Sequence, residues 1–246
     1  MIALTAYRRI ALGKIAVLIA LAVGSCAAAQ SLTVLPVNVF FAPGQKASTM
    51  SVTNRGDRET AVQIRPYAWT QADGNDQLDA THALVVSPPI ASIAPGATQL
   101  VRLILRDQPG NREVTYRIIL DELPAPTENG VVNVIFRLSI PVFSKPAARV
   151  TPRLEFHLEL EAGQVYLVGK NDGQSHDVIR DIALLTTDGK KLTPDSVASP
   201  YLLAGATRRW RIAVPNSTSL PNDTLRFTAH SDSGAIDEQV RVVPRP

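Results

Sequence analysis

Apolar and polar residues alternate in short runs along most of the chain. Thr49-Met50-Ser51-Val52-Thr53 and Ala61-Val62-Gln63-Ile64-Arg65 change character at nearly every step, and Asn54-Arg55-Gly56-Asp57 separates them. A period of two belongs to a half-buried strand. Residues 100–105, 115–120 and 131–143 continue the series. Turn-forming residues fall between them at Ala94-Pro95-Gly96, Gln108-Pro109-Gly110-Asn111 and Glu128-Asn129-Gly130. Lys145-Pro146-Ala147-Ala148-Arg149-Val150-Thr151-Pro152 then breaks the pattern, and its bracketing prolines predict a stiff linker. Beyond it, residues 154–160, 165–170, 179–186, 208–214, 224–230 and 239–243 read as strands again. No stretch has a convincing helical period. The pattern predicts an all-β chain of two sandwiches, spanning 30–146 and 153–246 with a hinge at 147–152.

The first residues do not fit this scheme. Arg8, Arg9 and Lys14 precede an apolar run from Ile15 to Val23, and Ala27-Ala28-Ala29 follows. This order predicts a secretory signal over 1–29, with an apolar run too short to span a bilayer. Val23-Gly24-Ser25-Cys26 is also similar to a bacterial lipobox, so a lipidated Cys26 stands as the alternative. Both readings place the mature chain beyond the inner membrane, in the periplasm. Cys26 is the only cysteine, so cleavage after Ala29 leaves no disulfide. Three of the 25 basic residues lie in 1–29, and the remaining 22 balance 22 acidic ones. The net charge of +3 therefore gives no case for a nucleic-acid partner, and 5% aromatic content argues the same way. With 246 residues, 45% of them hydrophobic, the chain has material for a core in each of two domains.

The run 131–143 is unusual. It contains no glycine, and Val132, Val134, Phe136, Leu138, Ile140 and Val142 fall on one face. Sandwich strands commonly have about five or six residues. Two readings stay open: a long core strand, or an edge whose apolar side chains project to a partner, which proteins normally suppress.

Pro88-Pro89-Ile90-Ala91-Ser92-Ile93-Ala94-Pro95-Gly96 before Leu100-Val101-Arg102-Leu103, Tyr116-Arg117-Ile118-Ile119-Leu120-Asp121-Glu122-Leu123-Pro124, and the long run ending Phe143-Ser144-Lys145-Pro146 together resemble the periplasmic chaperones of chaperone–usher pili. The resemblance implies two immunoglobulin-like β-sandwich domains in a boomerang arrangement, a cleft for pilus subunits and an outer-membrane usher as second partner. The run 131–143 becomes the G1 strand lent to an incomplete subunit, with Val132, Val134 and Phe136 as donors, extended by Leu138 and Ile140. The family's cleft arginine and lysine fall on Asn38 and Pro141, which carry no charge. That departure suggests the divergent, archaic branch. Arg117, on the neighbouring strand, is the candidate replacement anchor beside Asn38. The family's interdomain ionic group maps to Glu113, Lys145 and Asp232. No cofactor is implied, and an apolar edge makes a self-dimer of the unloaded protein plausible.

Other signals are weak. His82, His157, His176 and His230 are scattered, so no metal site is expected. Without a G-x-S-x-G elbow, P-loop or H-E-x-x-H, the chain is not expected to be an enzyme. Gly173-Gln174-Ser175-His176-Asp177 reads as a turn. Asp73-Gly74-Asn75-Asp76-Gln77-Leu78-Asp79 lacks the later residues of a calcium loop and reads as a polar hairpin loop. Arg208-Arg209-Trp210-Arg211 reads as a strand with exposed arginines and a core-facing Trp210. The alternative function is a secreted two-domain immunoglobulin-like pilus or adhesion component. Such a subunit should carry a donor extension of its own, and the segment between Ala29 and Val37 is short for that.

Overall fold

The computed structural model describes residues 32–124, 135–186, 189–196, 199–214 and 224–244. The expected signal with Cys26, and Val132 and Val134, lie outside them. All regular structure among the described residues is β. The first ten strands are β1 (Leu32–Leu35), β2 (Val39–Phe41), β3 (Ala47–Asn54), β4 (Thr60–Ala72), β5 (Asn75–Ala80), β6 (Leu84–Ser87), β7 (Ile90–Ile93), β8 (Thr98–Leu105), β9 (Val114–Glu122) and β10 (Arg137–Ser144). They form two sheets, ordered β1-β3-β8-β6 and β2-β10-β9-β4-β5, with β7 also on β4. That is the two-sheet plan of an immunoglobulin-like sandwich.

The alternation seen in the sequence explains the core. In β8, Val101, Leu103 and Leu105 are buried, while Leu100, Arg102 and Ile104 face outward. Facing them, Ile118 and Leu120 of β9 and Ile140 and Val142 of β10 complete one apolar cluster. The polar hairpin expected at Asp73–Asp79 is partly a strand. β5 pairs with β4 through Ala72↔Asn75, and Asp73 and Gly74 turn the chain with φ of 51° and 78°. Two consecutive positive φ angles are what a two-residue hairpin turn requires, and Asp-Gly supplies them at low cost. Every residue of β5 is exposed, so no apolar alternation marked it.

The second half contains β11 (Leu154–Glu161), β12 (Gln164–Asn171), β13 (Asp177–Val178), β14 (Arg180–Leu185), β15 (Lys191–Leu192), β16 (Tyr201–Leu202), β17 (Thr207–Arg211), β18 (Thr224–Ser231) and β19 (Gly234–Pro244). β19 pairs antiparallel with β18 along most of its length and then joins β11 in parallel at its end. β19 thus joins its neighbours into one seven-stranded sheet, ordered β15-β14-β18-β19-β11-β12-β17, beside the short pair β13-β16. Their core gathers around Leu158, Leu167, Trp210, Phe227 and Val240. Trp210 faces inward as expected. Arg208 does not face outward: it is 6% exposed, because β17 is the terminal strand of its sheet and lies against the first sandwich.

A third apolar cluster lies between the sandwiches. Trp69 and Phe143 from the first meet Leu203, Ala206 and Tyr201 from the second. Trp69 meets Tyr201 edge-on at 5.3 Å between ring centroids, and Phe143 stacks on His176 at 3.7 Å. Residues 145–152, which form no strand, connect the two bodies.

Phe143 and Phe227 are both fully buried, but only Phe143 touches both sandwiches. Truncating either to alanine should cost about 3–5 kcal/mol. Calorimetry should resolve two melting transitions for Phe143→Ala, whereas Phe227→Ala, which leaves the interdomain cluster in place, should lower one shared transition. A single, merely lowered transition in Phe143→Ala would show that this cluster does not couple the domains.

Candidate functional site

β10 has one complete edge and one incomplete edge. β9 pairs with it from Arg137 to Ser144. On the other side β2 joins in parallel only at Val142–Ser144, so no described strand covers residues 137–141 there. Ile135 and Phe136, which lead into the strand, are 57% and 39% exposed. Their approach is fixed by β9. The Glu122 N–H donates to the Phe136 carbonyl at 2.9 Å, and the Phe136 N–H donates to the Glu122 carboxylate at 3.1 Å. A side chain thus occupies the place where a strand partner would stand.

Next to this clamp, Asp121 accepts from Arg65 and from Arg137, each at 2.5 Å. Partial burial alone would raise the pKa of its carboxyl, but the two guanidinium groups outweigh it and hold the pKa below the usual value. The start of β10 is therefore tied to β9 by backbone pairing, a carboxylate clamp and an ion pair.

The proposed donor residues separate along this strand. Val132 and Val134 lie outside the described residues. Phe136 is exposed and free to contact a partner. Leu138 and Ile140 correct the expectation: Ile140 is 4% exposed in the first-sandwich core, and Leu138 lies against the same cluster. From Leu138 onward β10 forms the inner wall of its own sandwich, so its even-numbered side chains are already occupied.

The register assembles the anchor candidates in a row. Val39 pairs with Val142, which sets Asn38 beside Pro141, and Pro141 lies opposite Arg117. The two uncharged positions and the proposed replacement cation are thus neighbours across three strands. Arg117 is 9% exposed. Its guanidinium lies 3.7 Å from the Trp69 ring and 5.2 Å from the Tyr201 ring. Among the described residues its nitrogens reach only the Ser139 and Ser199 hydroxyls, each at 3.5 Å. The ion pairs of the described residues include none for Arg117, although most buried arginines pair with a carboxylate. Burial lowers its pKa, and the charge on Asp76 pulls in the opposite direction. It stays cationic. Tyr201 closes the row by donating to Asn38 Oδ1 at 3.3 Å.

The interdomain ionic group forms differently from expectation. Glu113, Lys145 and Asp232 do line one cavity of about 640 Å³ behind the hinge. However, Glu113 is fully buried and meets His176 Nδ1 at 2.6 Å, while Asp232 pairs with Arg180 at 2.9 Å. Lys145 lies over the Phe40 ring instead. The His176 ring is held by the Phe143 stack, and the His176 backbone N–H also donates to Glu113 at 3.1 Å, so a histidine meets Glu113 where the resemblance implied a lysine. Trp69, Ser199, Tyr201 and His176 have no motif around them. Only the fold could bring them to Arg117 and Glu113.

Residues 31–149 match the family described as "Pili and flagellar-assembly chaperone, PapD N-terminal domain". The chain is 28% identical over 184 residues to the chaperone protein FaeE of Escherichia coli, covering 72% of this chain and 67% of that one. It is 26% identical over 144 residues to the uncharacterized fimbrial chaperone YbgP of Escherichia coli K12, covering 54% of this chain and only 57% of that relative. Among solved structures, the CsuC–CsuE chaperone–tip adhesion subunit pre-assembly complex of Acinetobacter baumannii contains a chain of the same fold. That chain has a TM-score of 0.65 at 23% identity, covering 88% of this chain and all of that one. Residues 31–149 thus carry the N-terminal domain of the pili-assembly chaperones, and the two-sandwich plan of the whole chain is the fold of the solved chaperone.

Proposed function

We propose that this protein is a periplasmic, non-enzymatic chaperone that holds pilus subunits by donor-strand complementation and passes them to an outer-membrane usher. The observation that carries this reading is the uncovered edge of β10 at residues 137–141, led by exposed Ile135 and Phe136. A subunit strand laid there pairs its backbone with β10, while apolar side chains upstream enter the subunit's groove. Val132, Val134 and Phe136 are the donors. At roughly 25 cal/mol per Å² of apolar area, a few such side chains contribute on the order of 5–10 kcal/mol before ordering costs are subtracted. No ATP is needed, since folding of the subunit around its final donor drives release.

Arg117 is the proposed anchor for the subunit's terminal carboxylate. It is cationic, stacked on Trp69 and, among the described residues, bonded only to weakly placed hydroxyls. Asn38 and Pro141 beside it lack charge, which supports placement in the archaic branch. The signal over 1–29, with the Cys26 lipid alternative, and the division into 30–146, 147–152 and 153–246 complete the proposal. The unloaded edge can also be covered by a second copy.

Co-expression with the pilin-like product of a neighbouring gene, followed by affinity purification, tests the reading. Wild type should bring down a one-to-one complex, and Val134→Asp/Phe136→Asp should lose it while keeping a native circular dichroism spectrum. Undiminished capture by this variant would remove the donor strand from consideration. Arg117→Ala should weaken capture about 10–100-fold, the loss expected when a charge-assisted hydrogen bond is removed. Amidating the subunit's C-terminus should then have no further effect on that variant. If amidation still weakens its binding, the anchor lies elsewhere.

Asp121 gives a pH prediction. Its carboxyl is held below the usual value in the folded state, so its contribution is present above the ordinary carboxylate pKa and is lost as pH falls through the lowered one. Acid titration of urea midpoints should therefore fall less steeply for Asp121→Asn than for wild type. Parallel titrations would show that the ion pair to Arg137 does not steady the root of β10.

A further inference from the structure

The β4–β5 hairpin does more than turn the chain. Its tip crosses from the first sandwich to the second and makes contacts that resemble strand pairing. Gly74 forms a parallel bridge with Arg208 of β17. The Gln71 side-chain amide donates to the Tyr201 carbonyl at 2.9 Å and accepts from the Leu203 N–H at 3.0 Å. One planar amide thus takes the place of a backbone peptide along β16. Gln71 also donates to Asp76 Oδ1 at 2.9 Å, and the same oxygen accepts from Arg208 Nη1 at 2.9 Å. The Arg208 side chain is 8% exposed and that of Asp76 29%, so the pair is shielded from water on the arginine side.

The positions these bonds fix are the ones that matter. Tyr201 lies over Arg117 and bonds Asn38. The Asp76 charge also acts on Arg117. Held by Gln71 and Arg208, this carboxylate forms its ion pair with Arg208, and among the described residues Arg117 keeps its ring and hydroxyl contacts without a carboxylate. The geometry points to the β4–β5 hairpin as a strap, with Gln71, Asp76 and Arg208 as positioning residues. They set the orientation of the two sandwiches and seat Tyr201 over the cleft arginine. The orientation claim stands on the free protein alone. Its consequence for subunit capture rests on the function proposed above.

Residual dipolar couplings on the free, full mature protein test the orientation claim without any subunit. Wild type should fit one alignment tensor for both sandwiches. Gln71→Ala, a half-buried change outside either core, and Asp76→Ala should each give two tensors of different magnitude. Arg208→Lys, which keeps the charge, should retain one. A single shared tensor in both alanine variants overturns the strap. Subunit capture then gives a second, separate readout. Where wild type captures a subunit, Gln71→Ala should bind it about tenfold more weakly, within the usual range of coupling between sites. Equal capture despite separated tensors overturns the link to the cleft. If wild type captures nothing, the proposed function fails, while the couplings still decide the strap.

Discussion

The burial of Trp69 and Phe143 between two sandwiches governs much of the rest of this structure. Each sandwich has a core of its own, so nothing within either core dictates how the two are placed. The aromatic contact brings them together by removing large apolar surfaces from water where the sheets approach, and the polar contacts of the β4–β5 hairpin then orient them. Once Trp69 is there, its ring offers a face for Arg117, and Tyr201 completes the enclosure. Once Phe143 is there, its ring receives His176, which in turn meets Glu113. The two polar groupings at the junction are therefore built on one apolar contact. A buried ion pair or arginine gains little stability alone and needs a fixed frame to hold its geometry.

β10 unites both halves of this design. Val142 to Ser144 lie between β2 and β9, and Phe143 reaches the second sandwich. At the opposite end of the same strand no described strand pairs with one edge. Core, interface and exposed edge thus follow one another within a few residues. The carboxylate of Glu122 and the Arg65–Asp121–Arg137 cluster hold the strand's root where, among the described residues, one edge has no strand partner.

Much of the fold was legible in the sequence because alternation reports burial directly. Strands β3, β8 and β18 follow their apolar periods closely, while β9 is buried on both faces from Thr115 to Leu120 because the second sandwich lies against it. β5 escaped because all of its residues are exposed, so only Asp73-Gly74 signalled a hairpin. The site was less legible. Arg117 stood out as a charged residue in an apolar strand, and the register placed it beside Asn38 and Pro141. The reach of the donor set was overestimated, because a strand's period shows that Leu138 and Ile140 share a face but not which sandwich claims that face. Arg208 looked like one of several exposed arginines, and its burial comes from a neighbour more than a hundred residues away in sequence. The partners of Glu113 and Asp232 depend in the same way on an interface that no local pattern encodes.

The stacking of Arg117 on Trp69 has a consequence for how an anion would be received. A guanidinium in open water must shed ordered solvent before it can grip anything. This one loses most of its hydration when the chain folds, and its plane is set by the indole beneath it. The cost of dehydration therefore appears in the stability of the empty protein, and the encounter itself begins from a preorganised charge.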